Sequence, residues 1–523
     1  MSANDPVWDA VIIGAGSAGS VVAHRLAHAG WRVALVEAGP RHGSPLVSLP
    51  RAWPLLGRVP SRIWEHPVAD RPGETWRRGR GVGGSSNVNG MIWCRGFPED
   101  YDSWSRFGAQ GWGWARIARA FAQIERCEDD SDPMRGHDGP VALSRRLPPA
   151  PWAEAIWSAA RDLGWPVLDG VNGATREGIG LYDHSISARG VRSDARRAFL
   201  SPPPPGLRII PHAIVERILT ADGKATGIRY RARGGNSVEL SAREVILCAG
   251  TLGSPQVLHA SGIGDAGALR QAGIAPVVDL PGVGQGLAEH LVIALPHRAR
   301  VLGLNHELRS WRIAANLLRH AMGRQTVLSY GASEMGGFFR TAPDVALPDM
   351  QLSLSPYTFD RSVFARPRTE AEPGVTLIGY FLQPESRGHI AVGGAIHAGW
   401  LATEGDRRAA VGMMRELRRF AAAPSLAALI ERELFPGAKV QLEDDMLAAF
   451  RERVVSGLHA TGSCSMGDGR MAVVDGNLRL HGLRGLRVID ASVIPAPIRG
   501  NTNGAVMALA WAAADGILAE SAR

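Results

Sequence analysis

One histidine, His459, stands in a run of small residues, Gly457–Gly467 (GLHATGSCSMG). An imidazole that is neutral near pH 7 can take the proton from a hydroxyl group held against it. The stretch alone does not decide whether His459 does so, because a loop histidine also serves as a packing or turn residue. The other chemistry-bearing pattern lies at the opposite end of the chain. Gly14, Gly16 and Gly19 stand at GxGxxG spacing within WDAVIIGAGSAGSVVAHRLAHAGWRVALVEA, and Glu37 closes that segment, followed by Ala38.

The elements around those glycines give the pattern its meaning. VII reads as a buried strand, VVAHRLAHAG as a helix stopped by glycine, and WRVALVE as a second strand. Gly14 then permits the tight turn. Gly16 lets a pyrophosphate approach the backbone, and Gly19 lets helix pack on strand. Ser17 and Ala18 open the helix, whose N-terminus faces negative phosphates. Glu37 can accept hydrogen bonds from an adenosine ribose. The unit therefore predicts a dinucleotide site. Only one such unit is found: GRGVGG (79–84) and GVGQG (282–286) lack the strand-then-helix setting. One nucleotide cofactor, with a substrate as its redox partner, is the expectation.

The rest of the chain sets bounds. It has 523 residues, 45% of them apolar and 21% charged, which implies a folded protein of two domains or one elaborate one. The formal charge is +8. Only two of the 58 basic residues are lysines, Lys224 and Lys439, and the arginines never run longer than two, so nucleic-acid binding is not expected. The four cysteines, Cys94, Cys127, Cys248 and Cys464, form no CxxC pair. No metal site or disulfide framework follows, and a reducing, cytoplasmic location is expected. The N-terminus MSANDPVWDAV shows no signal-peptide pattern, and the longest apolar segment, 504–514, is too short to span a bilayer. SPPPPG (201–206) marks a break. MQLSLSPYTF and GVTLIGYFL read as strands, RRAAVGMMRELRRFAAA as a helix, and residues 300–440 as a separate domain.

Three further stretches carry a resemblance. GRGVGGSSNVNGMIWCRG (79–96) resembles the first signature of the glucose–methanol–choline oxidoreductases, and GTLGSPQVLHASGIG (250–264) their second. LHATGSCSMG, VVDGNLRLHGLRGLRVIDASVIP and GNTNGAVMALAWAAADGIL (500–518) are similar to their C-terminal block. The resemblance implies a mixed α/β (α+β) fold: a Rossmann-like FAD-binding domain assembled from residues 1–150, 203–297 and 445–523, with a substrate domain from 151–202 and 298–444 whose antiparallel sheet caps the flavin. It implies oxidation of a small-molecule alcohol to a carbonyl, with oxygen or a quinone-like carrier as electron acceptor. Alternatives within the same fold are a hydroxynitrile lyase, a light-driven fatty-acid decarboxylase, or a non-catalytic flavin protein.

By position, His459 resembles the family's active-site histidine, and Asn501, 42 residues later, the second active-site residue. The same matching puts Arg80, Gly81, Val82, Gly84 and Ser85, then Asn89, Gly90, Met91 and Ile92, along the cofactor. Val215 resembles the residue whose backbone meets the adenine. Ala249 and Gly250 lie near the dinucleotide, and Asp490 and Ala491 near its ribityl–pyrophosphate stretch. The helix beginning GNTNG is expected to carry Asn and Thr caps, with Thr502 and Asn503 as flavin contacts and its positive end towards the reduced ring. Val88 occupies a place where some relatives carry a histidine bonded to FAD, so a non-covalent cofactor is expected. His290 reads as a structural position and Cys464 as buried and inert. Glu334 falls where some choline-oxidising relatives place a carboxylate.

Overall fold

The computed structural model describes residues 7–522 apart from 42–43, 58, 128–131, 309 and 360–368; the first six residues of the N-terminal reading therefore lie outside the described residues. The apolar run WDAVII forms the strand Trp8–Ile13, and VALV forms Val33–Val36, every residue of it buried. A parallel sheet grows around them in the order Leu207–Ile210, Val33–Val36, Trp8–Ile13, Ser237–Leu247, Leu486–Val488. The inner strands are buried on both faces and need continuous apolar sequence, which VALV (33–36) and VIL (245–247) supply, whereas Leu207–Ile210 at the edge is only partly buried. The near half of Ser237–Leu247 runs on into an antiparallel extension with Lys224–Arg231 and Ile214–Ala221. The helix Ser17–His28 covers one face, and the long helix Thr502–Ser521 packs on it. That last helix is apolar on all sides (AVMALAWAAA) and buried accordingly.

The second sheet is antiparallel, ordered Met335–Phe339, Met350–Ser355, Gly374–Phe381, Leu291–Ala299, Ile430–Glu433, with Val455–Ser456 paired to Leu291 and Val292. The period-2 alternation of strands assigns its two faces. Leu291, Ile293, Leu295, Leu352, Leu354, Val375 and Leu377 point to a core closed by the helices Trp152–Asp162 and Glu404–Ala421. Val292, Ile378 and Tyr380 point the other way, into a smaller cluster with Cys94, Tyr182 and Phe338. Gly379 lies under the helix because a Cβ there would meet Met413 Sδ at 2.8 Å.

Two boundaries differ from the sequence reading. The strand Leu291–Ala299 belongs to the antiparallel sheet, so the change of unit falls before Leu291 rather than at 297. Its alternating pattern continues the sheet it joins. The helix Ala195–Phe199 packs Ala195 and Phe199 into the core of the parallel sheet, so the 151–202 segment crosses between the units before its end.

Candidate active site

The glycine turn divides its labour by space. Gly14 has φ +97°, and a Cβ there would lie 2.5 Å from Cys248 O; a Cβ at Gly19 would lie 1.9 Å from Gly14 O. At Gly16 the nearest atom to such a Cβ is Gly84 Cα, at 4.0 Å. Gly14 and Gly19 are therefore glycines for the protein's own packing, whereas Gly16 leaves room for a ligand against the backbone. Gly84 Cα occupies the opposite wall, so the 81–85 segment faces the turn. Glu37 joins the pieces. Its carboxylate accepts hydrogen bonds from the backbone N–H groups of Ala15 (3.0 Å), Gly39 (2.8 Å) and Gly81 (2.9 Å). Val82 N donates to Pro40 O and Gly83 N to Ala15 O. Beyond Glu37, Ala38 and Arg80 line a cleft of about 220 Å³ together with His212 and Ile214, the neighbour of Val215.

Two helices point bare N-termini into this region. Gly16 and Asn501 hold the N-cap positions of Ser17–His28 and Thr502–Ser521, and neither end has a side-chain cap. Some helices elsewhere are capped, Thr403 accepting from Asp406 N before Glu404–Ala421 and Asp265 from Ala268 N before Ala266–Gln271, while Trp114–Ile124, Trp152–Asp162 and Glu443–Arg453 also lack a side-chain cap. Uncapped backbone N–H groups and the positive helix end suit an anionic ligand. Ser17 Oγ donates to Asn503 Oδ1 at 2.7 Å, bringing the two ends together across 486 residues. This donor set and the space at Gly16 fit a dinucleotide.

The expected side-chain cap at Asn501 is not formed, because its amide is turned to other partners. Asn501 Nδ2 lies 3.0 Å from His459 Nε2, and Oδ1 accepts from Gln351 Nε2 at 3.2 Å and from the Cys94 thiol at 3.5 Å. An amide nitrogen only donates, so His459 Nε2 carries the lone pair. The neutral ring then keeps its proton on Nδ1, which lies 3.1 Å from His290 Nδ1. Backbone carbonyls of Leu382 and Ile498 also hold the His290 ring. Burial, reinforced by His290 and Arg78, lowers the His459 pKa well below its ordinary value; burial lowers His290 to about 4. Both rings are neutral at pH 7. Tyr380 stacks on His459 with centroids 6.0 Å apart.

The backbone of His459 is fixed too. Its N–H donates to Glu289 Oε1 at 2.8 Å, Glu289 Oε2 accepts from Ser456 Oγ at 2.7 Å, and Leu458 before it adopts φ +62°. Burial pushes the Glu289 carboxyl up to about 7. Gln351 also donates to Tyr182 Oη at 3.0 Å, and Tyr182 Oη donates to Leu352 O. Donation therefore runs outward from Gln351 in two directions, through Tyr182 to Leu352 O and through Asn501 and His459 to His290. Of these, His459 and Asn501 are the residues that sequence matching singles out. The sequence alone marks His290 as a structural position and gives no role to Gln351, Tyr182, Tyr380 or Glu289. The alternation MQLSLS could have offered Gln351, since a glutamine among buried strand residues needs a partner.

The remaining expected positions are also located. Asn89 Oδ1 accepts from Arg192 Nη1 at 2.8 Å and from Met91 N at 3.2 Å. Met91 is buried at φ +66°, a conformation costly for a side-chain-bearing residue and held here by the Ser185 N bond to its carbonyl. Ile92 pairs with His184. Gly90 backs onto Ala332, whose N–H donates to Gly90 O. Gly79 N donates to Ser85 Oγ. Asp490 accepts from Gly250 N, Ser254 Oγ and Ser492 N, capping the helix that follows Ala249. Gly462 N donates to Ala491 O, tying that end to the His459 loop. Cys464 is fully buried and its thiol pKa is raised by that burial. Glu334 is also fully buried, 3.9 Å from Arg51 Nη1, and burial raises it to about 7.

The helix that meets the cradle through Asn503 also begins at Asn501, the amide against the neutral His459 ring, an arrangement that fits a cofactor-dependent oxidoreductase. Comparison with known proteins gives the family. Models of the GMC oxidoreductases match residues 8–292 and 384–510, and the chain belongs to this flavoprotein family of enzymes acting on CH–OH donors. It is 33% identical to an alcohol dehydrogenase (acceptor) from Pseudomonas putida, over 97% of this chain and 95% of that one. It is 34% identical to an oxygen-dependent choline dehydrogenase from Yersinia pestis, over 98% and 93%. Among solved structures, a pyridoxine 4-oxidase from Mesorbium loti superposes with a TM-score of 0.85 at 29% identity, covering 97% of this chain and 98% of that one. A formate oxidase variant from Aspergillus oryzae superposes at 0.91 and 25%, covering 99% of each. No described helix is long and apolar enough to cross a membrane.

Proposed function

We propose that this protein oxidises an uncharged alcohol to a carbonyl, with His459 as the base and Asn501 as the second partner of the alcohol oxygen. The observation that carries this reading is the 3.0 Å approach of Asn501 Nδ2 to His459 Nε2. A hydroxyl inserted there donates its proton to the Nε2 lone pair and accepts from the amide N–H. Both contacts fix the oxygen, and so orient the carbon that carries the hydrogen to be lost. As the proton moves to Nε2, the imidazole becomes cationic, and its Nδ1–H bond to His290 tightens. FAD, when bound, supplies the hydride acceptor.

Gly16, Ser17, Asn503 and the 81–85 segment would hold that cofactor, with Glu37 organising the adenosine end. Val88 has no group able to bond it covalently. Glu334 supports an uncharged substrate, because this carboxylate is enclosed by protein and faces Arg51, an unfavourable setting for a quaternary ammonium group. Anaerobic mixing of the holoprotein with a panel of neutral alcohols and choline tests the reading. Bleaching of the flavin band by a neutral alcohol, with aldehyde or ketone formed, is the expected result. No bleaching by any alcohol, with product instead from cyanohydrins or under blue light, overturns it. Admitting air and assaying peroxide then separates oxygen from a quinone-like acceptor. Protein denatured and filtered should release all its yellow colour; colour retained on the chain contradicts the non-covalent reading.

A further inference from the structure

The helix Ser310–Ala321 (SWRIAANLLRHA) is placed with its faces reversed relative to an ordinary surface helix. Its inward side is short and mixed. Ile313 and His320 are half-buried, and Asn316 is buried with its amide donating to Glu307. On the opposite side, at i, i+7 and i+11, stand Trp311 (72% exposed), Leu318 (64%) and Met322 (59%). Met322 continues the helical bonding, its N–H donating to Leu318 O at 3.0 Å. Small alanines fill the face between them, Ala314 and Ala321 exposed. Water meets a large aromatic ring and two long apolar side chains in one line, which folding alone does not favour.

The unpaired charge named around this face is positive, its carboxylate neighbour Glu307 being held by Arg312. Arg319 and Arg324 are exposed and, among the described residues, make no ion pair and no side-chain hydrogen bond. Arg189 joins them, because Gln325 donates to Ala188 O and Gly190 packs against Ser329, which bonds His320. Arg312 is paired with Glu307 at 2.6 Å. An apolar stripe headed by tryptophan and flanked by free guanidinium groups is the chemistry of a helix lying in a lipid headgroup layer. A second copy of this chain fits less well. A helix of 12 residues is about 18 Å long at 1.5 Å per residue, and one face of it offers about 200 Å². A stable pairing needs about 800 Å² from each partner, and the cations ringing the face would oppose one another across it.

We propose that the outward face of Ser310–Ala321 docks the protein on an anionic bilayer surface, with Trp311, Leu318 and Met322 entering the headgroup region and Arg189, Arg319 and Arg324 meeting lipid phosphates. The protein rests on the membrane and does not span it, in keeping with the absence of a spanning helix among the described residues. Docking here connects by a short path to the chain around Gly90. His320, on the inner side of the helix, bonds Ser329. The segment after it runs through Tyr330 to Ala332, which donates to Gly90 O beside the cradle.

The test is co-sedimentation of the FAD-loaded protein with vesicles of phosphatidylcholine mixed with phosphatidylglycerol, and with phosphatidylcholine alone. The wild type should pellet with the anionic vesicles, less with the neutral ones, and less as salt is raised. Trp311→Ser/Leu318→Ser/Met322→Ser should lower the bound fraction about tenfold or more at equal lipid. Arg319→Glu/Arg324→Glu should lower it by a similar factor on anionic vesicles only. Both variants should keep FAD content and the circular dichroism of the wild type. If the serine variant does not fold, the arginine variant carries the test alone. Wild-type protein that stays in the supernatant with anionic vesicles, or variants that pellet as well as the wild type, overturn the proposal. So does a concentration-dependent dimer that the serine substitutions abolish, since the face would then be covered by a second copy.

Discussion

The cofactor cradle and the catalytic corner are built by opposite means. The cradle is made of backbone: glycines that let chain approach chain, bare helix ends, and one carboxylate, Glu37, collecting three N–H groups. Apart from Glu37, Ser17 and Asn503, its side chains matter by being absent. The corner is made of side chains from widely separated segments, His290, Gln351, His459 and Asn501, joined by bonds of 3.0 to 3.2 Å. A backbone site is altered by adding bulk or removing its organiser, and the effect appears in binding and stability. A side-chain site is altered by changing one donor or acceptor, and the effect appears in rate.

Four changes would break or sharpen that contrast, and the largest is expected at the corner. His459→Ala should slow alcohol-driven flavin reduction by about 10²–10⁴-fold while FAD content stays at the wild-type level. Equal loss of FAD would mean that the two regions are not separable. His290→Leu removes the acceptor that keeps the His459 proton on Nδ1, and should slow reduction by about 10- to 100-fold with little change in KM. His290→Gln, whose amide oxygen accepts a hydrogen bond, should recover part of that loss; a glutamine variant as slow as the leucine variant contradicts the tautomer assignment. Glu37→Ala reverses the pattern. It strands three backbone N–H groups at about 1–3 kcal/mol each if they stay buried. FAD should be lost on dialysis and Tm should fall by several degrees, whereas the reduction rate of the FAD-saturated variant should change little. Retained FAD and unchanged Tm would contradict this.

The smallest effect is in the pH profile. The base must be neutral to act, and burial lowers its pKa below the ordinary 6.5. As pH falls, kcat/KM should therefore decline only below 6.5 and should be flat from there towards 8 as far as His459 is concerned. A decline setting in above 6.5 would show that the working base is another group or that His459 is less enclosed than its surroundings indicate.

Sequence reasoning reached these regions unequally for physical reasons. The GxGxxG turn is legible because each glycine answers a local backbone demand, and the strand–helix–strand unit around it is set by short-range periodicity. His459 and Asn501 are legible only by family resemblance, because neither local sequence has a periodicity that aims a side chain. Gln351 and Tyr380 lie on strands buried on both faces, where composition does not reveal which face meets the site. The reading of Asn501 as a side-chain cap failed because GNTNG has the composition of a cap, while the partner that draws its amide away lies 42 residues earlier. The boundary at Leu291 was missed because its strand follows directly on a loop belonging to the other unit.

The central claim is that the neutral His459 lone pair takes the alcohol proton. The direct measurement is stopped-flow mixing of oxygen-free holoprotein with the best alcohol of the panel, following the flavin band in the wild type and in His459→Ala at equal FAD loading. The expected traces show rapid bleaching of the wild type and bleaching slowed at least about a hundredfold in the variant. Traces that superimpose would contradict the account.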